Sequence, residues 1–196
     1  MTMLERTHEI VQSERIKVWT YDDYAQLPSH GSDRLEVIEG ELHLSPAPNI
    51  RHQNISGNLF GILRNHILQN RLGQVFSAPV DVVFSPTNTF QPDIVFVSTE
   101  NKGIITAANI QGAPDLLVEI ISPSSDRLDR IRKPQVYAQF GVAHFWIVDP
   151  VLDLVEEYVL SGATYRLVCE RNRRETWTPR LFPTLNIILE EIFQTP

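Results

Sequence analysis

Cysteine is nearly absent from this sequence, because Cys169 is the only one among 196 residues. A single cysteine excludes an internal disulfide and favours a reducing compartment, so we expect a cytoplasmic protein. The sequence also lacks a CxxC pair and the cysteine–histidine spacings that are typical of zinc sites. No apolar run approaches the roughly 20 residues of a membrane-spanning helix, and the polar N-terminus is unlike a signal peptide. We therefore expect no membrane association.

Positive charge is also scarce, with 17 lysines and arginines against 24 aspartates and glutamates and a net charge of −7. This balance counts against a broad electrostatic attraction to nucleic acid, but it allows a local basic groove. Basic residues form two clusters in the sequence. The first contains Arg127, Arg130, Arg132 and Lys133, and the second contains Arg171, Arg173 and Arg174. Two solvated surfaces and a phosphate-tracking role fit these clusters about equally well.

The length and composition are those of one soluble domain, because 196 residues with 42% apolar side chains can bury a sizeable core. The sequence contains no internal repeat, low-complexity tract or interdomain linker. We therefore predict a single domain over residues 1–196, in which residues 1–17 are a polar lead-in.

The segment Gly112–Pro150 contains the clearest structural pattern. Its short apolar run, Leu116–Ile121, predicts a buried strand. A polar, charged stretch follows, and then a helical stretch that ends near Phe140, before a second apolar strand at Ala143–Val148. Strand, helix and strand within about 35 residues predict a crossover unit with roughly parallel strands.

The remaining elements are predicted from turn residues and apolar spacing. Upstream we predict a helix that Thr20 caps, and then a hairpin over Arg34–Leu44 that turns at Glu39-Gly40. A helix follows over Asn49–Leu72, and Gly73 closes it. We then predict a strand over Gln74–Phe84, a turn over Ser85–Gln91 and a strand over Pro92–Val97. Downstream we predict a hairpin that turns at Ser161-Gly162 and a last strand over Thr184–Leu189.

Two carboxylates begin or interrupt apolar strands, Asp93 in QPDIVFV and Glu119 in LLVEII. A carboxylate among leucine, valine and isoleucine is costly unless a metal ion or a lysine pairs with it. Two carboxylates suffice for Mg²⁺, which prefers oxygen ligands and keeps several waters. Lys133 could stabilise charge on a phosphate, and Tyr137, four residues later, lies on the same helix face. Because Pro134 disfavours helical geometry before it, we expect Lys133 at the start of the helix.

Each of these residues also has a purely structural explanation. Asp93 is compatible with a strand-entry turn, Glu119 with an ion pair to an arginine, and Lys133 with a solvated surface. Glu36 in a hairpin and His52 in a first helical turn are usually solvent-facing. Only the combination of these residues indicates a functional site.

The combined order of motifs resembles the Uma-type restriction endonuclease family, which is placed in the PD-(D/E)XK nuclease superfamily. The motifs are RLEVIEGEL at 34–42, SPAP at 45–48, PD at 92–93, VEIISPSS at 118–125 and GVAHFWIVDP at 141–150, with His52, Lys133 and Tyr137 between them. The match covers most of residues 18–193. It implies an α/β (α+β) fold with a restriction-endonuclease-like core, in which helices flank a mixed central β-sheet and further β-hairpins lie near both ends.

The resemblance also implies a role for each matching residue. Asp93 takes the aspartate of the PD half, and Glu119 takes the acid of the (D/E)XK half. Ile121 stands where the superfamily has lysine, and Lys133 from the following helix is the implied replacement. The resemblance implies that Glu36 is a further catalytic or metal-binding acid. It also implies that His52, Tyr137 and Ser122 line the cleft.

The implied activity is hydrolysis of DNA with Mg²⁺, or with Mn²⁺, and without an organic cofactor. Two other hypotheses remain, which are a catalytically inactive nuclease-like protein that binds nucleic acid or a partner protein, and a hydrolase of smaller phosphate esters. Because duplex cleavage needs two active sites, we also expect a homodimer. Its candidate contacts are the hairpin at Ser161-Gly162 and the C-terminal strand.

Overall fold

Two mixed β-sheets and one long helix make up most of the fold in the computed structural model, which describes residues 17–27, 34–122 and 126–194. The helices are α1 (Tyr21–Ala25), α2 (Ile50–Asn70), α3 (Lys133–Gln139) and α4 (Leu189–Ile192), with a 3₁₀ turn at Lys102–Ile104 and a π turn at Leu128–Arg132. The strands are β1 (Arg34–Ile38), β2 (Glu41–Ser45), β3 (Gly73–Ser77), β4 (Val82–Ser85), β5 (Asn88–Phe90), β6 (Ile94–Ser98), β7 (Ile110–Gln111), β8 (Leu116–Ile120), β9 (His144–Asp149), β10 (Leu154–Ser161), β11 (Thr164–Asn172), β12 (Thr176–Trp177) and β13 (Ile187–Ile188).

The larger sheet has six strands in the order β11-β10-β9-β8-β6-β3. Strands β8 and β9 are parallel, with Glu119 opposite Ile147, and the other neighbours are antiparallel. The predicted crossover unit and the mixed central sheet are therefore confirmed. Helix α2 begins after its predicted N-cap, Asn49, and its apolar side chains pack with β6, β8 and β9 in one core. This core fixes the strands that carry the predicted acids.

The smaller sheet has five strands in the order β2-β1-β5-β4-β7. Its β1–β2 hairpin turns at Glu39 and Gly40, whose φ angles are 52° and 81°. Two successive positive φ angles match the twist of an antiparallel pair, which confirms the predicted hairpin. The sheet lies beside the larger one, and β1 delivers side chains to the space between them.

The segment between α2 and β6 differs from the prediction. The single strand predicted over Gln74–Phe84 is wrong, because β3 ends at Ser77 and β4 begins at Val82 in the other sheet. Pro79 lacks the N–H that would continue the ladder. The turn predicted over Ser85–Gln91 is too long, because the turn is confined to residues 86–87 and Asn88–Phe90 form β5. Helix α2 ends at Arg71 in the left-handed conformation, and Gly73 already belongs to β3.

The helix that carries Lys133 begins earlier than predicted. Residues 126–139 are continuously helical, and the π turn Leu128–Arg132 leads directly into α3. Lys133 is the first residue of α3, as expected, but the preceding charged stretch is helical as well. A π turn changes the hydrogen-bond register, so it accommodates Pro134, which has no N–H to donate. Such turns are frequent at functional sites.

The C-terminal region contains one confirmed and one wrong prediction. The hairpin β10–β11 is present and is longer than predicted. The last strand predicted over Thr184–Leu189 is reduced to β13, followed by α4, because Leu189, Ile192 and Phe193 turn into the core. The predicted lead-in lies outside the described residues except for Lys17. None of the helices in the described ranges has the length and apolarity to cross a membrane.

Candidate active site between the two sheets

A pocket of about 130 Å³ lies where the ends of β6 and β8 face the β1–β2 hairpin. Six of the residues predicted from the sequence line it, which are Glu36, His52, Asp93, Glu119, Ser122 and Lys133. The seventh, Tyr137, lies behind the pocket, with its hydroxyl 2.6 Å from Glu119 Oε1. The fold thus brings the predicted residues together from both sheets and two helices.

Asp93 and Glu119 are neighbours across the β6–β8 pair. Asp93 directly precedes β6, where Ile94 is opposite Val118 of β8. The Oδ2 atom of Asp93 accepts the backbone N–H of Ile120 at 2.7 Å, which fixes the carboxylate beside Glu119. Both side chains are almost fully buried. Their cost of desolvation must therefore be offset by charged partners within the pocket.

Two side chains contact Asp93, one at each carboxylate oxygen. Arg34 Nη1 lies 2.7 Å from Oδ1, and His52 Nε2 lies 3.2 Å from Oδ2. Burial opposes ionisation of Asp93, but the hydrogen bond from His52 and the charge of Arg34 lower its pKa below the ordinary value. Asp93 is therefore an anion at neutral pH.

Lys133 is a buried cation shared by three carboxylates. Its Nζ atom lies 3.0 Å from Asp129 Oδ1, 3.1 Å from Glu36 Oε2 and 3.2 Å from Glu119 Oε1. Burial disfavours its charge, but the attraction of Glu119, Glu36 and Asp129 raises the pKa of Lys133 well above the ordinary value. Lys133 therefore stays charged and joins the helix to both sheets.

The electrostatics of Glu119 differ from those of Asp93. Burial raises the pKa of Glu119 well above its ordinary value, and the nearby acids reinforce this shift against the attraction of Lys133. The Tyr137 hydroxyl donates to Glu119, and its ring packs against Phe84, Phe90 and Phe145. Burial also raises the pKa of Tyr137 well above its ordinary value. Glu119 therefore keeps a proton up to a higher pH than an exposed glutamate does.

The charges of the pocket fit a divalent cation. Among the described residues that line the pocket, four buried carboxylates, from Glu36, Asp93, Glu119 and Asp129, meet two obligate cations, Arg34 and Lys133. Arg34 is close to Asp93 Oδ1, yet no donor among the described residues makes an aligned hydrogen bond to that buried atom. Two neighbouring buried carboxylates are a donor set that suits a hard ion such as Mg²⁺.

The donor set contains two carboxylates and no more. Among the described residues, no three histidine, cysteine or acidic side chains are grouped closely enough to hold one ion. Glu36 meets the other acids through Lys133, and its second oxygen accepts the backbone N–H of Gln91 at 2.9 Å. Asp93 and Glu119 are thus the two acids that could hold a metal directly, with water as the remaining ligands. The metal role of Glu36 stays a prediction.

Sequence reasoning missed two members of the cluster, Arg34 and Asp129. Arg34 lies two residues before Glu36, so the period of a strand directs both side chains to one face. Asp129 lies four residues before Lys133, which is the spacing of helical neighbours. These spacings indicate that Arg34 and Asp129 lie near Glu36 and Lys133. The indication for Asp129 was weak, because the helix was predicted to begin after it.

Three of the four members of the first predicted basic cluster, Arg130, Arg132 and Lys133, are paired with acids instead of being free for phosphate. Arg130 contacts Asp126, Asp149 and Glu156, which ties the helix to the larger sheet. Arg132 contacts Glu39 and Glu41, which ties the helix to the β1–β2 hairpin. These ion pairs favour a structural role for both arginines.

Comparisons with known proteins agree with the resemblance read from the sequence. A structure from Anabaena variabilis, described as a "putative nuclease belonging to DUF820", has a TM-score of 0.72 at 20% sequence identity, over 89% of this chain and 97% of that one. An uncharacterized protein from Synechocystis sp. is 22% identical over 156 residues, which are 79% of this chain and 88% of the relative. A family model described as "Putative restriction endonuclease" matches residues 21–190. This chain therefore belongs to the Uma2 family, and its restriction-endonuclease-like fold is the one that the sequence resemblance predicted.

Proposed function

We propose that this protein is a divalent-metal-dependent endonuclease that hydrolyses phosphodiester bonds of DNA with Mg²⁺ or Mn²⁺. The observation that carries the proposal is the convergence of Asp93, Glu119 and Lys133 in one pocket. Membership of a family described as restriction endonucleases supports the substrate class. Fold alone does not define an activity, so the proposal rests on these side chains.

Asp93 and Glu119 would hold the ion. When bound, such an ion polarises a phosphoryl oxygen and lowers the pKa of a coordinated water. Asp93 is suited to this role because it is ionised and its Oδ1 atom lacks an aligned hydrogen bond from the described residues. Glu119 would lose its proton when the cation arrives, since a positive charge favours the carboxylate form.

Lys133 supplies the positive charge that the catalytic step needs. Ile121 stands two residues after Glu119, where the superfamily has lysine, yet Lys133 Nζ lies 3.2 Å from Glu119. A fixed ammonium group at this point stabilises the negative charge that develops on phosphorus. Glu36 holds this ammonium group from the β1 side at 3.1 Å, which supports a positioning role for Glu36.

The other pocket residues orient these groups. His52 Nε2 contacts Asp93, and the backbone of the first α2 turn is fixed by Asn49, whose side chain accepts the His52 N–H at 2.9 Å. Tyr137 holds Glu119 from the core side. Rigid support of this kind keeps reacting groups in a productive geometry.

A second candidate function is a nuclease-like protein that binds nucleic acid or a partner without cleavage. One observation favours it, namely that Asp93 and Glu119 each contact a cationic side chain, Arg34 and Lys133. If these contacts outcompete a metal ion, the pocket becomes a structural ion-pair cluster. The two candidates therefore differ in one measurable property, which is the affinity of the pocket for divalent metal.

We would titrate Mg²⁺ and Mn²⁺ into the wild type and into Asp93→Asn by calorimetry, and assay nicking of supercoiled plasmid in the same buffers. The control is Asp81→Asn, because Asp81 accepts from Tyr24 and Gln91 outside the pocket. The nuclease proposal expects metal binding and nicking in the wild type and in Asp81→Asn, and neither in Asp93→Asn. DNA binding without metal binding or nicking would support the second candidate instead.

The proposed function also includes the oligomeric state of the protein. A duplex cut on both strands needs two active sites, which supports a homodimer. Sedimentation with and without duplex DNA tests this part of the proposal. A monomer under both conditions, together with single-strand nicks only, would contradict it.

A further inference from the structure

We propose that Arg34 is a further catalytic residue, whose guanidinium group shields Asp93 in the metal-free protein and contacts the scissile phosphate once the metal is bound. Neither the predicted site nor the family resemblance assigned it a role. The inference rests on the proposed nuclease function and deepens it, because it names the group that recognises the phosphate.

The position of Arg34 supports this role. It is the first residue of β1, and it shares a strand face with Glu36, so both side chains enter the pocket. Its side chain is 19% exposed, whereas that of Asp93 is 2% exposed. Arg34 is therefore the member of the pair that solvent, and a substrate in the pocket, can reach.

The contact between Arg34 and Asp93 is one that can be exchanged. Arg34 contacts the carboxylate at one oxygen, with Nη1 2.7 Å from Oδ1. Asp93 is held independently through Oδ2, by the Ile120 N–H at 2.7 Å and by His52 at 3.2 Å. Release of Arg34 therefore leaves the orientation of Asp93 unchanged.

The chemistry of the guanidinium group fits a phosphate. Its planar set of five N–H donors matches two phosphate oxygens, and it stays charged at every pH that the protein experiences. Burial would lower the pKa of Arg34, but Asp93, Glu119 and Glu36 raise it above the ordinary value. A divalent cation held by Asp93 would repel the Arg34 guanidinium group and weaken its contact with the carboxylate. The phosphate of the substrate then provides the anion that Arg34 has lost.

This exchange predicts effects of opposite sign on two quantities. Arg34→Ala removes a cation that competes for Asp93, so metal binding should become tighter by about tenfold. The same change removes a charge-assisted hydrogen bond to the substrate, so kcat for nicking should fall by about tenfold or more. A residue that only supports the fold would weaken both quantities together.

The experiment measures Mg²⁺ and Mn²⁺ affinity by calorimetry without DNA, and nicking rates at saturating metal, for the wild type, Arg34→Ala and Arg34→Lys. Arg34→Lys keeps the charge and loses the planar fork, so we expect metal affinity within about twofold of the wild type and a reduced kcat. Arg171→Ala is the matched control, because it removes an arginine on the outer strand β11 that pairs with Glu175.

Each outcome decides the inference. Tighter metal binding together with slower nicking in Arg34→Ala supports the inference. If Arg34→Ala does not fold, slower nicking in Arg34→Lys at unchanged metal affinity supports it instead. Unchanged nicking in either variant, or a parallel loss of metal affinity and nicking in Arg34→Ala, overturns the role of Arg34 while the nuclease proposal stands. A wild type that neither binds metal nor nicks DNA overturns both.

Discussion

The Nζ atom of Lys133 lies 3.2 Å from Oε1 of Glu119, although the lysine is the first residue of α3 and the glutamate lies near the end of the buried strand β8. The same ammonium group contacts Glu36 from the smaller sheet and Asp129 from the π turn. Lys133 therefore joins the three parts of the fold that form the pocket. Its removal should affect stability and chemistry together.

We expect Lys133→Met to lower the free energy of unfolding at pH 7 by about 3–5 kcal/mol, because it leaves three buried carboxylates without their shared cation. The loss should shrink towards acidic pH, where protons neutralise these carboxylates. Urea denaturation at pH 7 and pH 5 measures it. Lys102→Met, at an exposed lysine in the 3₁₀ turn, is the control. Equal effects of the two substitutions would mean that the cluster does not stabilise the protein.

Much of the fold follows from local patterns in the sequence. Two successive positive φ angles at Glu39 and Gly40, and an N-cap at Asn49, are dictated by residues next to each other in the chain. The division of the segment after α2 between two sheets is not local, because Val82 pairs with Phe90 and with Ile110. Apolar alternation predicts a strand there, but it does not specify the sheet to which the strand belongs.

The acids of the candidate site were predictable because a carboxylate is conspicuous in an apolar strand. Their partners were not equally visible. Arg34 begins a strand and Asp129 lies in a charged stretch, and both are ordinary surface residues by composition. Only the approach of β1 to β6, and the π turn before Lys133, bring their side chains to Asp93 and Lys133. The contact between Arg34 and Asp93 is tertiary, so spacing in the sequence does not encode it, whereas the four-residue spacing of Asp129 and Lys133 is informative only once the helix is known to include Asp129.

A second prediction concerns Glu119→Gln in the metal-free protein. The pKa of Glu119 is raised in the folded state, above the ordinary value of 4.5. Between these two values the folded state binds more protons than the unfolded state, so the stability of the wild type falls as pH rises. Glutamine does not titrate, so the variant should gain stability relative to the wild type from about pH 4.5 upward, and the gain should level off above the raised pKa.

Denaturation curves at several pH values for the wild type and Glu119→Gln measure this difference, whose slope can reach about 1.4 kcal/mol per pH unit. Glu190→Gln, at an exposed glutamate of α4, controls for the loss of one charge. A gain that is already complete at pH 4.5, or one that declines with rising pH, would be inconsistent with a raised pKa of Glu119.

A third prediction is that metal binding releases a proton. If Glu119 is protonated in the metal-free pocket and ionised beside a metal ion, each binding event transfers up to one proton to the buffer. Calorimetric titrations of Mg²⁺ at pH 7, in two buffers of different ionisation enthalpy, should therefore give different heats and the same affinity. Identical heats in both buffers would indicate that Glu119 is already a carboxylate before the metal arrives.

The final prediction separates the support of Glu119 from the packing of the core. Tyr137→Phe keeps the aromatic contacts with Phe84 and Phe90 but removes the hydroxyl that donates to Glu119 at 2.6 Å. We expect a stability loss of about 1–2 kcal/mol, together with slower nicking, because the Glu119 carboxylate loses a fixed donor and its orientation.

Tyr165→Phe provides the comparison, since it removes a hydroxyl that donates to the Val142 carbonyl at 2.7 Å outside the pocket. Its stability loss should be similar, with metal affinity and nicking unchanged. If both variants retained wild-type nicking, the Tyr137 hydroxyl would be a structural group only. If the two variants lose the same stability but only Tyr137→Phe nicks DNA more slowly, Tyr137 belongs to the site, because loss of packing alone cannot produce that difference.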